Sequence, residues 1–283
     1  MFTQLFEIES TFELVWQTLS RSMWRYLLIA GIPFVFFYVW KTNPLRRFRI
    51  QKRPPRNKHI VHELKWSLIT RMFVALFTVG LILLAAGSDT NYTQIYMDFD
   101  EYGWAYFIGS ILLVMVLHDA YFYWTHRIMH HKSVYKYVHR VHHKSINPTP
   151  FASFSFHPSE TFLETMFVPL IIFVIPVHPI AIVTYSSILF FYNVYAHSGF
   201  EFMPKWWVHH PVTKYFNTPT NHNQHHGKFN YNYGLYFNWW DRWMGTHYPL
   251  YEQVYDEIRS RPRVKQEKST VAATQAAAPA ERC

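Results

Sequence analysis

A chain of 283 residues, half of them apolar and a fifth aromatic, has material for one large core or one membrane domain and is no disordered chain. The mean hydropathy is near zero, but the apolar residues gather into runs of membrane-spanning length, and the formal charge of +9 is concentrated in one short interval, a topology signal rather than a nucleic-acid-binding face. The single cysteine, Cys283, excludes an internal disulfide, a thiolate zinc site, an iron–sulfur cluster and a buried cysteine nucleophile.

In chain order, residues 1–20 carry Glu7, Glu9 and Glu13 where a cleavable signal peptide has a basic region, so the first apolar segment is expected to stay in the mature protein. Residues 24–40 form a first span flanked by Trp24 and Trp40. The stretch 41–59 is rich in Lys and Arg and interrupted by Pro44, Pro54 and Pro55, which makes it a solvated loop. Residues 67–86 form a second span, with Arg71 expected to reach the headgroups along its own stem. An acidic loop over 89–101 contains no Lys or Arg. Residues 104–124 form a third helix, which runs out of the bilayer while still helical.

Two further apolar segments, 162–176 and 179–196, are joined by Pro176-Val177-His178-Pro179, a tight turn. The first of them carries Glu164 and Pro169, so the pair reads equally as two full spans or as a re-entrant hairpin. Residues 259–283 lack periodicity and are expected to be a disordered tail, leaving one membrane-embedded domain over 1–258. The fold class is all-α: about four membrane helices arranged as hairpins, with a cytosolic helical cap.

The eighteen histidines are clustered. His126 and His130 are i and i+4 on the third helix and face one side. His118 lies two turns earlier, roughly 12 Å along the axis, and His131 points well round the helix, so both are weaker candidates. His139-Arg140-Val141-His142-His143 and His222-Asn223-Gln224-His225-His226 are both HxxHH, in which i, i+3 and i+4 are neighbours on one turn. The three boxes offer eight imidazoles, too many for one metal and suited to two with open positions. His197, after an apolar segment, is a further candidate for the same site. His59, His62, His178, His209, His210 and His247 stand alone and are read as surface or capping residues.

The acidic residues between His118 and His226 are only Asp119, Glu160, Glu164 and Glu201. Such a site is nearly all imidazole, unlike ferritin-type carboxylate centres. No HExxH zincin motif and no nucleophile elbow is present. A histidine-rich metal-binding membrane protein or transporter is the alternative from another class, but it calls for ionisable residues in the middle of several spans, and these spans are nearly free of them. A zinc-pair membrane hydrolase is a third reading.

Beyond spacing, the stretches HDAYFYWTHRIMHH, HRVHHKSINPTPFASFSFHPSE, HSGFEF and NTPTNHNQHHGKFNYNYGLYFNWWDRWMGTH, within about 118–248, resemble the sterol desaturase and fatty acid hydroxylase superfamily in order and spacing. The resemblance implies an integral-membrane di-iron oxidoreductase that uses molecular oxygen to hydroxylate or desaturate a lipid: a sterol, a fatty acyl chain or an ether lipid. It implies metal ligation by His126, His130, His139, His142, His143, His222, His225 and His226. His157 and His197 match family-typical positions, as ligands or as neighbours of ligands, and no catalytic side chain beyond the ligands is implied. Asp119 is expected to accept the second N–H of a ligand imidazole, while Trp240, Asp241, Gly245 and Thr246 are expected to be structural. No electron-donor domain is recognisable in the chain, so a separate donor protein is expected.

Overall fold

The computed structural model describes residues 11–40, 43–86 and 92–262. Among these the protein is helical, and extended pairing is limited to three isolated bridges. Glu7, Glu9, Lys41, Asp89, Cys283 and most of the expected tail lie outside the described residues.

Helix α1 (Thr11–Phe34) carries Pro33 in its last turn and passes into a π turn, Val35–Val39. Helix α2 (Asn57–Ala86) begins ten residues before the expected span. Its opening turns hold Lys58, His59, His62, Glu63 and Lys65, a composition that reads as loop until its partners are known. Arg71 therefore lies midway along α2. It does not reach outward: it is buried, with its guanidinium carbon 4.1 Å from the Phe154 ring centroid.

Helix α3 (Phe99–Met129) is capped by the Asp98 carboxylate, which accepts from the Asp100 amide. It is interrupted at Gly103, whose φ of 74° is open to glycine at little cost. The uninterrupted helix thus starts at Trp104 and carries the first box at its far end. Two single turns, α4 (Lys132–Tyr135) and α5 (Arg140–His143), bring in the second box.

The next apolar segment is not one helix. It divides into α6 (Pro158–Thr165) and α7 (Phe167–Ile171), each too short to span by itself. Its end nevertheless reaches the opposite face from the boxes. The Gln94 amide donates to Ile172 O (2.7 Å) and the Val177 amide to Gln94 O (3.1 Å), just before α3 begins. Helix α8 (Pro179–Ala196) starts from Pro179 at its first position and returns to the box end, where His197 is its C-cap. The hairpin runs the full depth of the helical body, with one broken arm and one continuous arm. Helices α9 (Pro219–Lys228), α10 (Trp239–Trp243) and α11 (Tyr251–Arg259) complete the cap.

Four helices are long and apolar enough to cross a membrane: Thr11–Val39, Asn57–Ala85, Phe99–Met129 and Pro179–Ala196. Their outer faces agree with a lipid surround, since Leu84 (75% exposed), Ile108 (57%), Leu112 (59%) and Val183 (62%) would otherwise meet water. The chain is an integral membrane protein. Inside, α1, α2 and α8 meet around Tyr26, Ala30, Phe154, Phe190 and Val194. A second apolar cluster, Val114, Phe167, Ile171, Val177 and Tyr185, ties α3 to the hairpin.

Candidate metal centre

Helix geometry divides the boxes. Residues i and i+4 lie about 40° apart around a helix, whereas i+3 falls on the other side of i. Nine imidazoles converge, and the eight that belong to boxes obey that rule. His126, His130, His139, His143 and His225 form one group, and His142, His197, His222 and His226 form a second, with the ligand atoms of each group within 4.8 Å of one another. In the second box, i and i+4 enter the first group and i+3 crosses to the second. In the third box the assignment reverses. Each HH pair thus sends one ring to each group, which holds the groups side by side: the ring centroids of His143 and His226 are 4.9 Å apart.

The atoms that converge are Nε2. His126 and His139 approach at 3.0 Å, His143 and His225 at 3.0 Å, and His222 and His197 at 2.9 Å. The opposite ring atoms explain the orientation. His126 Nδ1 donates to Tyr233 O (2.8 Å), His225 Nδ1 to Tyr231 O (2.7 Å) and His197 Nδ1 to Asn193 O (2.8 Å). A carbonyl can only accept, so in these three rings the proton sits on Nδ1 and the Nε2 lone pair faces inward.

Burial, and then the neighbouring imidazoles, hold His139, His142, His143, His222, His225 and His226 below the ordinary imidazole range, and the half-buried His130 likewise. Burial brings His197 down to about 4. Neutral, fixed, inward-facing imidazoles are the form a cation binds.

All eight box histidines fall in the two groups, and His197 completes the second. The other candidates lie elsewhere. His118 is buried among the Phe122, Phe167, Tyr185 and Tyr236 rings. His131 is exposed and caps α4, and His157 caps α6 through the Ser159 amide. Asp119 does not accept from a ligand imidazole. It takes the amides of Tyr236 (2.8 Å) and Phe237 (3.2 Å) and the Trp239 indole N–H (3.0 Å), so it anchors a backbone strap. That strap, 231–237, supplies the carbonyls for His126 and His225. The Asp241 carboxylate also holds it, by accepting from the Tyr233 and Gly234 amides, both at 2.8 Å, and from the Thr246 hydroxyl. Trp240 stacks on Tyr123.

Two buried carboxyls take roles that no sequence motif announces. Glu160 accepts from His139 Nδ1 at 2.7 Å, both side chains being 2% exposed. Its only sequence signal is its place in the first turn of a proline-started helix after the second box. Glu201 accepts from the Met203 and Thr220 amides, at 3.0 and 3.2 Å, and so fixes the start of the helix that bears the third box.

A cavity of about 340 Å³ opens onto His126, His139, His142, His197 and His222 and extends between α2, α6, α7 and α8 past Phe77, Leu81 and Ile182. An apolar slot ending on polar groups suits a long hydrocarbon ligand.

Residues 111–246 match the fatty acid hydroxylase family. The chain is 32% identical over 247 residues to a Delta(7)-sterol 5(6)-desaturase of Gibberella zeae, covering 86% of this chain and 74% of the relative. It is 30% identical over 224 residues to lathosterol oxidase of Rattus norvegicus (78% and 70%) and 32% identical over 200 residues to that of Homo sapiens (70% and 64%). No solved structure matches the chain.

Proposed function

The chain belongs to the fatty acid hydroxylase and sterol desaturase superfamily of oxidoreductases, and from that premise we propose that it hydroxylates or desaturates a membrane lipid with molecular oxygen at a di-iron centre held by the nine histidines. The observation that carries this is the paired convergence of inward-facing Nε2 atoms at the end of an apolar cavity. Imidazole suits iron, and two groups of five and four rings fit two ions with positions left open. Bound iron would supply oxygen activation and the oxidation of an unactivated C–H bond, with electrons from a separate donor protein.

The chain's own residues do the rest. Glu160 and the Tyr231, Tyr233 and Asn193 carbonyls fix ring orientation. Phe122, Phe156 and Met129 wall the cavity beside the imidazoles, keeping water from the reacting carbon and confining the lipid to one path. Turnover is expected to require oxygen and an external reductant, and active protein to hold about two iron atoms per chain. Product formed under strict anoxia, or full activity with stoichiometric zinc and no iron, would refute this reading.

We infer that the boxes face the cytoplasm. The basic segment between α1 and α2 packs on the box end: the Ile50 amide donates to Gly199 O, and Gln51 Nε2 and the Asn147 amide group bind Ile146 O and Arg53 O respectively. By the positive-inside rule that end is cytoplasmic, and the acidic approach to α3 is outside. In a Cys283→Ser background, Tyr92→Cys should react with an impermeant thiol reagent on intact cells and Lys144→Cys should not, both native side chains being exposed. The reverse pattern would overturn the orientation.

A further inference from the structure

We propose that Arg25 and Arg71 form an oxyanion site on the wall of the cavity, so that the lipid it takes carries a carboxylate or phosphate group. This rests on the reading that the cavity holds the substrate.

Both arginines line the cavity that ends on the histidines. Arg71 is 6% exposed, and its guanidinium carbon lies 4.1 Å from the Phe154 ring centroid and 5.4 Å from that of Phe190. Arg25, exposed on α1 at the mouth of the cavity, approaches the same Phe190 ring at 4.5 Å, so Arg71 is the buried member of the pair. Neither makes a hydrogen bond or ion pair with a described residue, and Arg71 Nε is buried without an acceptor. The carboxyls that share the cavity, Glu160 and Glu164, pair with neither.

Two phenyl faces offset part of the cost of burying a cation, but they leave the N–H donors of the guanidinium without acceptors, which is expensive away from water. One oxyanion meets both needs, because it accepts from two forks and compensates their charge. A sterol or alkyl hydroxyl accepts at most two hydrogen bonds and leaves both charges standing. The site also acts as a ruler. Phe154 lies 6.2 Å from Phe156, which lies 5.0 Å from His142, so one aromatic wall joins the arginine pair to the histidines. An anion held by the arginines fixes which carbon of its chain lies against them.

The test is equilibrium binding to the full-length chain in detergent, without reductant, so that its outcome is independent of turnover. The probes are labelled oleate, oleoyl lysophosphatidate, oleyl alcohol and lathosterol. At least one anion is expected to bind about tenfold or more tighter than oleyl alcohol, and the tighter of the two identifies carboxylate or phosphate. Arg25→Gln and Arg71→Gln should each shrink that preference, the double substitution should erase it while leaving oleyl alcohol affinity within about twofold, and Arg71→Lys should keep part of it. Glu164→Gln should leave it intact. Oleyl alcohol or lathosterol binding as tightly as both anions, or a preference that survives in the double variant, would overturn the proposal while leaving oxygen-dependent oxidation standing. Should substitution of Arg71 unfold the protein, the wild-type comparison and Arg25→Gln decide the matter.

Discussion

Replacing His197 with alanine is expected to abolish lipid oxidation as fully as replacing His142 or His225, although His197 belongs to none of the three boxes. Its Nε2 lies 2.9 Å from that of His222, 3.3 Å from that of His226 and 3.4 Å from that of His142, so it approaches every other ring of its group. Without it the second group keeps three imidazoles, while the first keeps all five. Metal content should therefore fall from about two per chain toward one, and activity by at least about a hundredfold. His118→Ala is the informative control. His118 is equally buried but faces aromatic rings, so its loss should lower stability through the cavity it leaves while metal content stays at the wild-type level. Metal analysis on monodisperse protein, with a melting curve for each variant, separates the two cases. Full metal in His197→Ala, or the same metal loss in His118→Ala, would show that the second group is drawn wrongly.

The boxes were legible because their message is local. The i, i+4 relation of His126 and His130, and the i, i+3, i+4 pattern of the other two boxes, follow from helix geometry alone. What spacing does not reveal is which group each ring joins, since that depends on how three helices and a hairpin meet. Spacing shows His197 as a histidine after an apolar run, and the family resemblance marks its position without deciding whether it is a ligand, because its partners lie at positions 142, 222 and 226. Asp119 shows the same limit in reverse. A carboxylate beside a histidine box invites assignment to a ligand, yet its acceptor capacity is spent on amides more than a hundred residues away.

Arg71 departs from its expected place at the headgroups for a different reason. Charged residues ahead of an apolar run resemble a loop, whereas in the folded chain three of them meet distant partners: His59 Nδ1 meets Lys144 O, His62 Nε2 meets Val141 O and Glu63 accepts from Thr149, so α2 extends into the cap. The broken arm of the hairpin was signalled by Glu164 and Pro169. Its depth was not, because the pairing of Val177 with Gln94 is tertiary. Sequence pattern thus reports what one helix can present, and the structure adds what faces it.

Glu160 is the second position at which a large effect is expected. Its carboxylate is the sole acceptor for His139 Nδ1, at 2.7 Å in a fully buried setting. Burial pushes Glu160 well above the usual carboxylate range and His139 well below the usual imidazole range, so without a cation the pair is most stable with no net charge. A cation on the Nε2 side reverses that balance: it favours an ionised Glu160, which then fixes the ring and strengthens it as a donor to the metal. Glu160→Ala should weaken metal binding by about ten- to a hundredfold in competition with a chelator, and activity should fall with metal occupancy. Glu160→Gln keeps an oxygen able to accept from Nδ1 but not the charge, so it should fall between alanine and wild type. A purely packing role predicts another order, with the near-isosteric glutamine variant matching wild type in both metal affinity and activity. That result would remove Glu160 from the metal site and leave it a buried structural contact.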